Sequence, residues 1–145
     1  MSERVIIVPC SGIGKTYGTV TREAAYHVVE ELRPETTAIV PLSLLVLGDE
    51  EARTAVQDAQ VITMDGCSLA CATLNVRQAG GVVAKDFTVL DAFRRNKALK
   101  PRGISELNEG GQALARVLAD EVAQTADELL AEGTQHPQNN GGHHA

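Results

Sequence analysis

The fold is decided by a short apolar run that ends in a cysteine, Arg4-Val5-Ile6-Ile7-Val8-Pro9-Cys10. A second run of this kind, Val61-Ile62-Thr63-Met64-Asp65-Gly66, leads into Cys67, and Cys71 follows four residues later. Apolar runs of this length are typical of buried strands in a parallel sheet. If the two strands are neighbours, the three sulfurs meet at the carboxyl edge of the sheet. Thiolates there could bind a metal ion, attack an electrophile or exchange disulfides, so the sequence predicts a thiolate site.

Helical and strand patterns alternate along the rest of the chain. Periodicity predicts helices at about residues 19–32, 50–58, 67–78 and 105–131, and apolar runs predict further strands at 36–42, continuing into 44–47, and at 82–84. Residues 88–105 are basic and predicted to be irregular. The alternation indicates an α/β fold, a single domain whose mostly parallel twisted sheet of about four strands has helices on both faces. With strand order 2-1-3, Cys10 and Cys67 border the switch point where such sheets bind ligands.

Composition limits the classes of partner. The 145 residues suit one domain, which we place at 1–132, followed by a disordered tail at 133–145. A net charge of −6, with two Tyr, two Phe and no Trp, offers neither a basic field nor stacking side chains. We therefore expect no nucleic acid and no membrane partner. Three cysteines are too few for a disulfide framework, and the apolar start is too short for a secretory signal, so we expect a cytoplasmic protein.

Several separated motifs around the cysteines resemble one protein family. In chain order they are Val8-Pro9-Cys10-Ser11-Gly12-Ile13-Gly14-Lys15 with Gly18, Arg22-Glu23-Ala24-Ala25-Tyr26, Gly48-Asp49-Glu50-Glu51, and Asp65-Gly66-Cys67 with Cys71-Ala72. Over about residues 4–90 the chain is similar to the DGC-domain family, named for its Asp-Gly-Cys motif. The resemblance implies a four-cysteine zinc site of unassigned biochemical role, with Cys10, Cys67 and Cys71 as three ligands. It places the fourth cysteine near Pro41 and Leu42, where this chain has none.

A site with three thiolates differs chemically from one with four, because it leaves one coordination position for water or substrate. Candidate fourth ligands are Asp65, in the same loop as Cys67, and His27, on the first helix. If Cys67 and Cys71 lie one helical turn apart, their β-carbons are roughly 5–6 Å from each other and their sulfurs can share a metal ion. We expect zinc, with an iron–sulfur cluster as the alternative cofactor. The plainer alternative is that the cysteines are small buried hydrophobic residues.

Two other kinds of chemistry remain open. The turn from Pro9 to Thr16 ends in Gly-Lys-Thr like a P-loop, but Pro9 replaces the first glycine of that motif. A weaker version is an anion-binding loop of Gly12, Gly14 and Lys15 at the start of a helix. Amides at a helix start would also stabilise a thiolate at Cys67, which makes a thiol-dependent redox or sulfur-transfer enzyme the second hypothesis, with a Cys10–Cys67 disulfide.

The remaining features have plain interpretations. The Cys71-to-Arg77 spacing fits a cysteine phosphatase, but a helical context without glycine argues against that activity. The histidines at 136, 143 and 144 lie in the predicted tail and could hold metal only weakly. The basic residues 94–102 favour a solvated loop over a site for an acidic partner. The apolar stripe of the last helix packs on the sheet or on another subunit, so a homo-oligomer is possible.

Overall fold

Four parallel strands form the centre of the computed structural model, which describes residues 4–10, 15–66, 69–104 and 106–135. Their order across the sheet is β2-β1-β3-β4. The strands are β1 (Val5–Pro9), β2 (Thr37–Ile39), β3 (Val61–Asp65) and β4 (Val83–Thr88). Every residue of β1 and β3 is buried, as expected for central strands, and β4 forms a partly exposed edge. The predicted α/β fold is confirmed, and β1 and β3 are neighbours, which was the condition for a shared site at their carboxyl ends.

Helices cover both faces of the sheet. In chain order they are α1 (Thr16–His27), which continues as a π-helical turn over Val28–Leu32, α2 (Leu42–Leu47), α3 (Glu50–Asp58), α4 (Cys71–Gln78), α5 (Val89–Arg95) and α6 (Glu109–Gln135). Val5 and Ile7 of β1 join a core with α1, α5 and α6, whereas Ile6 and Val8 join a second core with α2, α3 and α4. The helices that follow β1 and β3 therefore lie on opposite faces of the sheet. The point between the carboxyl ends of these two strands is the switch point.

Two segments, residues 42–47 and 83–95, differ from the predicted secondary structure. Residues 42–47 form α2 instead of extending β2, because Leu42 and Leu45 are buried one helical turn apart while Val46 and Leu47 are exposed. Residues 83–95 form a longer β4 and then α5, where we expected irregular chain after residue 88. The side chain of Thr88 caps α5 by accepting a hydrogen bond from the N–H of Asp91 (3.1 Å).

Two helix starts near the cysteines also differ. We expected the first helix to begin at about residue 19, but α1 begins at Thr16 and Gly18 is buried within it. The helix expected over 67–78 begins only at Cys71, because Ala70 has a left-handed backbone (φ 54°) that interrupts the helix. Cys71 is therefore the first residue of this helix, and Cys67, which we expected one turn before it on the same face, lies outside the described residues.

The last helix packs inside the domain. Leu114, Leu118 and Val122 of α6 are buried against α1 in the first core, so this part of its apolar stripe is already covered. In the described part of the chain, no helix combines the length and apolar character that crossing a membrane requires. The expected tail, which begins at residue 133, falls mostly outside the described residues, and the homo-oligomer stays a prediction.

Candidate functional site

Cys10 lies at the switch point, directly after β1. Its backbone N–H donates to the carbonyl of Met64 (2.8 Å), which continues the pairing of β1 with β3 by one residue. Its side chain is buried, with 7 % exposed. The backbone N–H of Gly66 donates to the Cys10 sulfur (3.2 Å), and the Thr21 hydroxyl of α1 lies 3.5 Å from it. The two central strands and α1 therefore all contribute to the surroundings of this sulfur.

The contacts of Thr21 suit either protonation state of the Cys10 sulfur. The Thr21 hydroxyl has one proton and its nearest acceptor is the carbonyl of Gly18 (2.7 Å). When the Thr21 hydroxyl donates its proton to the Gly18 carbonyl, the thiol of Cys10 can donate to the Thr21 oxygen. If Cys10 is a thiolate, rotation of the hydroxyl allows Thr21 to donate to the sulfur together with Gly66. A sulfur that receives two donors is stabilised as an anion, which both metal binding and nucleophilic attack require.

The glycine of the Asp-Gly-Cys motif has a steric role. A β-carbon at Gly66 would lie 3.1 Å from the backbone nitrogen of Gly18 and 3.1 and 3.2 Å from the carbonyl carbon and oxygen of Tyr17. The end of β3 thus passes directly against the first turn of α1. A β-carbon here would be closer to these backbone atoms than most β-carbons are to their neighbours, so glycine suits this approach, which brings the Gly66 N–H to Cys10.

Asp65 connects β3 to α4. It is 2 % exposed, and the backbone N–H groups of Ala72 and Thr73 donate to its two oxygens (2.7 and 3.2 Å). The Thr73 hydroxyl also donates to Asp65 (2.9 Å), and Thr63 in β3 contacts the same hydroxyl at 2.7 Å. Because the Thr73 hydroxyl donates its only proton in the hydrogen bond to Asp65, the Thr63 hydroxyl must be the donor in its contact with Thr73. Asp65 is therefore the capping group of α4, supported by a buried chain of two threonines.

Cys71 is the first residue of α4, and its side chain is exposed. The next residue, Ala72, is fully buried in the same core as Cys10, so the start of α4 is anchored beside the carboxyl edge. Ala70, immediately before the helix, holds a left-handed conformation that costs a non-glycine residue roughly 1–2 kcal/mol. The capping by Asp65 holds the chain in this conformation and fixes where Cys71 emerges.

Some predicted site residues lie elsewhere or outside the described part. His27 lines a pocket between α1 and α6. It follows Thr21 by six residues, or about 9 Å along the helix, so the structure does not bring it to Cys10. Lys15 is exposed at the start of α1, and Cys67, Gly12 and Gly14 lie outside the described residues. Within the described ranges, no group of three or more His, Cys, Asp or Glu side chains is placed to hold a metal ion.

The position that the resemblance assigned to a fourth cysteine is close to Cys10. Pro41 and Leu42, at the start of α2, line the same pocket as Cys10, at the carboxyl ends of β1 and β2. Leu42 is buried, with 6 % of its side chain exposed. In this chain, apolar side chains therefore stand where the fourth sulfur would complete a closed site.

Comparison with family models identifies the family of the chain. The model of the DGC domain matches residues 6–109, from β1 to the first residue of α6. The chain belongs to the DGC domain family. The match covers Cys10, Cys67 and Cys71 and all four strands. Comparisons with curated proteins and with solved structures gave no significant match.

Sequence reasoning missed the Thr21 hydroxyl beside Cys10 and the hydrogen bonds that surround Asp65. Thr21 and Thr73 carry no motif, and Asp65 was expected as a candidate metal ligand. One feature of the sequence does indicate a buried hydrogen bond. Thr63 interrupts an apolar strand, and a buried hydroxyl needs a hydrogen-bond partner.

Proposed function

We propose that this DGC-domain chain binds a thiophilic metal ion, zinc in the first place, through Cys10, Cys67 and Cys71. One observation carries the proposal: the N–H of Gly66, the residue that precedes Cys67 in the chain, donates to the Cys10 sulfur at 3.2 Å. The backbone that leads to Cys67 therefore contacts Cys10. The anchoring of Cys71 by Asp65 supports the same edge of the sheet as the location of the site.

The donor set suits zinc. Thiolates are preferred ligands of zinc, and N–H donors such as Gly66 orient and stabilise a ligating sulfur. Asp65 is left out of the proposed ligand set because its two oxygens already accept three hydrogen bonds. When bound, zinc held by three thiolates would offer one open position that polarises water or a small ligand. In this chain Cys10 would be the buried ligand and Cys71 the exposed one.

Metal content tests the proposal directly. We expect untagged protein purified without oxygen to contain about one zinc per chain, and the variants Cys10→Ser, Cys67→Ser and Cys71→Ser each to lose most of it, because each removes one thiolate. Elemental mass spectrometry, with an assay for acid-labile sulfide, distinguishes zinc from an iron–sulfur cluster. Thr54→Ser, at an exposed position of α3, is the control that should keep its metal. Equal metal content in all four variants would contradict the proposal.

A gain of affinity offers an independent check. Leu42 lines the pocket beside Cys10, so Leu42→Cys supplies a fourth thiolate near the position that the resemblance indicates. We expect this variant to bind zinc at least about tenfold more tightly than the wild type in a competition titration with a chromogenic chelator. Leu42→Ser, which has a hydroxyl in place of the thiol, is the matched control. Unchanged affinity in Leu42→Cys would place the metal site elsewhere.

The exposed thiol of Cys71 favours a second candidate function, thiol-dependent redox or sulfur-transfer chemistry. This reading predicts a metal-free protein whose thiols form a Cys10–Cys67 or Cys67–Cys71 disulfide under mild oxidation. The metal analysis above separates the two, since bound zinc would occupy the same sulfurs.

A further inference from the structure

The outer side of β4 is an open edge of the sheet. β4 pairs with β3 and stands last in the strand order, and with six residues it is longer than β2, the three-residue strand at the other edge. Among residues 4–10, 15–66, 69–104 and 106–135, none makes a main-chain hydrogen bond to the outer side of β4. An edge strand presents N–H and C=O groups that can pair with an extended segment of another chain.

Positive charge is concentrated in the chain that forms and follows this edge. Residues 83–102 contain six of the 13 Lys and Arg residues of the protein and two of its 19 Asp and Glu residues. The whole chain has a net charge of −6, so the remaining residues are strongly acidic. Residues 83–102 are therefore a basic segment of an acidic protein, and a basic segment attracts negatively charged groups.

A groove of about 480 Å³ runs beside β4, and part of its charge is already neutralised. Arg95 at the end of α5 contacts the carboxylates of Asp91 (3.1 Å) and Glu121 (2.6 Å). It donates two hydrogen bonds to each of them. Arg95 therefore has its partners inside the protein, and these two carboxylates are paired with it.

Two other cations of the groove are exposed. Lys85 of β4 and Arg94 of α5 both line it, and neither forms an ion pair in the described part of the chain. The Nζ of Lys85 lies 5.7 Å from the centre of the Phe87 ring, a cation–π contact that favours a position along the strand. Asp86 adds one exposed carboxylate. Two cations with one opposing carboxylate leave the outer part of the groove positive.

The lysine in the edge strand determines which strands can pair there. Charged residues on edge strands commonly prevent pairing with other chains. Lys85 opposes the addition of an apolar or basic strand, because its charge would be covered without a partner. An acidic side chain directly opposite Lys85 removes this penalty, and a cross-strand pair of opposite charges contributes about 0.2–1 kcal/mol. Lys85 therefore favours acidic strands over others.

We propose that the edge of β4 binds an extended acidic peptide segment of a partner protein, which joins the sheet as a fifth strand. Main-chain hydrogen bonds to β4 supply the affinity, and carboxylates placed against Lys85 and Arg94 supply the selectivity. The exposed side chains of Lys97, Lys100 and Arg102 extend the positive surface beyond α5. None of the three cysteines belongs to this surface, so the binding does not depend on the proposed metal site.

Fluorescence anisotropy of a labelled peptide, Glu-Val-Glu-Thr-Glu-Val-Glu, with the full-length protein tests the proposal. We expect saturable binding that weakens as salt is added. A peptide with lysine in place of each glutamate should bind at least about tenfold more weakly. A peptide in which every main-chain N–H is methylated keeps its carboxylates but cannot donate to β4. It should also bind at least about tenfold more weakly, because several hydrogen bonds are lost.

Variants of the protein locate the site. The double variant Lys85→Gln/Arg94→Gln should weaken binding of the acidic peptide at least about tenfold. Arg4→Gln/Arg53→Gln changes the net charge by the same amount at two exposed positions away from β4, and it should bind like the wild type. In ¹H–¹⁵N spectra of the wild-type protein, the acidic peptide should shift the amide signals of residues 83–88.

Four results would overturn the proposal. The first is no saturable binding of the acidic peptide, and the second is equal affinity for the acidic and the N-methylated peptide, which would mean attraction by charge alone. The third is tighter binding of a single-stranded oligouridylate, which would assign the surface to nucleic acid. The fourth is a protein that sediments as a dimer and ignores the peptide, which would assign the edge to a second copy. If the double variant does not fold, the three peptides on the wild-type chain still decide.

Discussion

Replacement of Asp65 by alanine is expected to lower the free energy of unfolding by about 3 kcal/mol, combining the loss of a helix cap with the loss of charge-assisted hydrogen bonds. The carboxylate accepts the N–H groups of Ala72 and Thr73 and the Thr73 hydroxyl, and it is 2 % exposed. Alanine leaves these donors buried without an acceptor. The start of α4 should then fray, and Cys71 should lose its fixed position.

Urea denaturation of the variant and the wild type measures this effect. The matched control is Asp49→Ala, because Asp49 also caps a helix, accepting the N–H of Ala52 at 2.9 Å, but is only partly buried. We expect the control to cost about 1 kcal/mol, as for an ordinary cap. Asp65→Asn keeps the size of the side chain and should fall between the two. Similar losses in Asp65→Ala and Asp49→Ala would mean that burial of the Asp65 network adds nothing.

The central strands could be predicted from sequence because each of them is a local apolar run. Residues 5–9 and 61–65 are continuously apolar or nearly so, and a chain that buries both runs must place them inside a parallel sheet. Helix α3 could also be predicted, since Asp49 precedes it and its side chain caps it. The apolar residues and the capping aspartate that predict these elements lie within them or directly before them.

The role of Asp65 as the cap of α4 could not be predicted from sequence, because its hydrogen-bond partners are seven and eight residues further along the chain. An Asp-Gly pair is common in tight turns, and the sequence does not reveal that the next helix starts at Cys71. The left-handed conformation of Ala70 delays that start, and alanine gives no sign of it. For this reason the helix that we expected from residue 67 begins at Cys71.

The pocket beside Cys10 illustrates a second limit. Arg22 and Ile39 are seventeen positions apart in sequence, and they line one pocket because β2 pairs with β1 and α1 packs against β1. The apolar residues 42–47 were expected to extend a strand, which would have removed the pocket wall. Their folding as α2 turns Leu42 toward Cys10 and leaves Val46 and Leu47 exposed. Helix and strand are hard to distinguish in such short apolar runs.

Replacement of Gly66 by alanine is expected to cost about 2 kcal/mol of stability, because a β-carbon there would press on backbone atoms that cannot rotate away. The closest of these are the Gly18 nitrogen and the Tyr17 carbonyl carbon, each at 3.1 Å. Relief requires the end of β3 to move from α1, and this movement draws the N–H at position 66 away from the Cys10 sulfur. We therefore expect lower zinc affinity together with lower stability.

The control is Gly48→Ala. Gly48 ends α2 with a left-handed backbone (φ 79°), and a β-carbon there would meet nothing within 4 Å. It should cost about 1 kcal/mol through its backbone alone and leave zinc affinity unchanged. Denaturation curves and zinc competition titrations on both variants separate the two causes. If Gly66→Ala binds zinc as tightly as Gly48→Ala, the contact between Gly66 and Cys10 has no part in holding the metal. A loss of zinc affinity at position 66 alone would explain why the motif requires glycine between its aspartate and its cysteine.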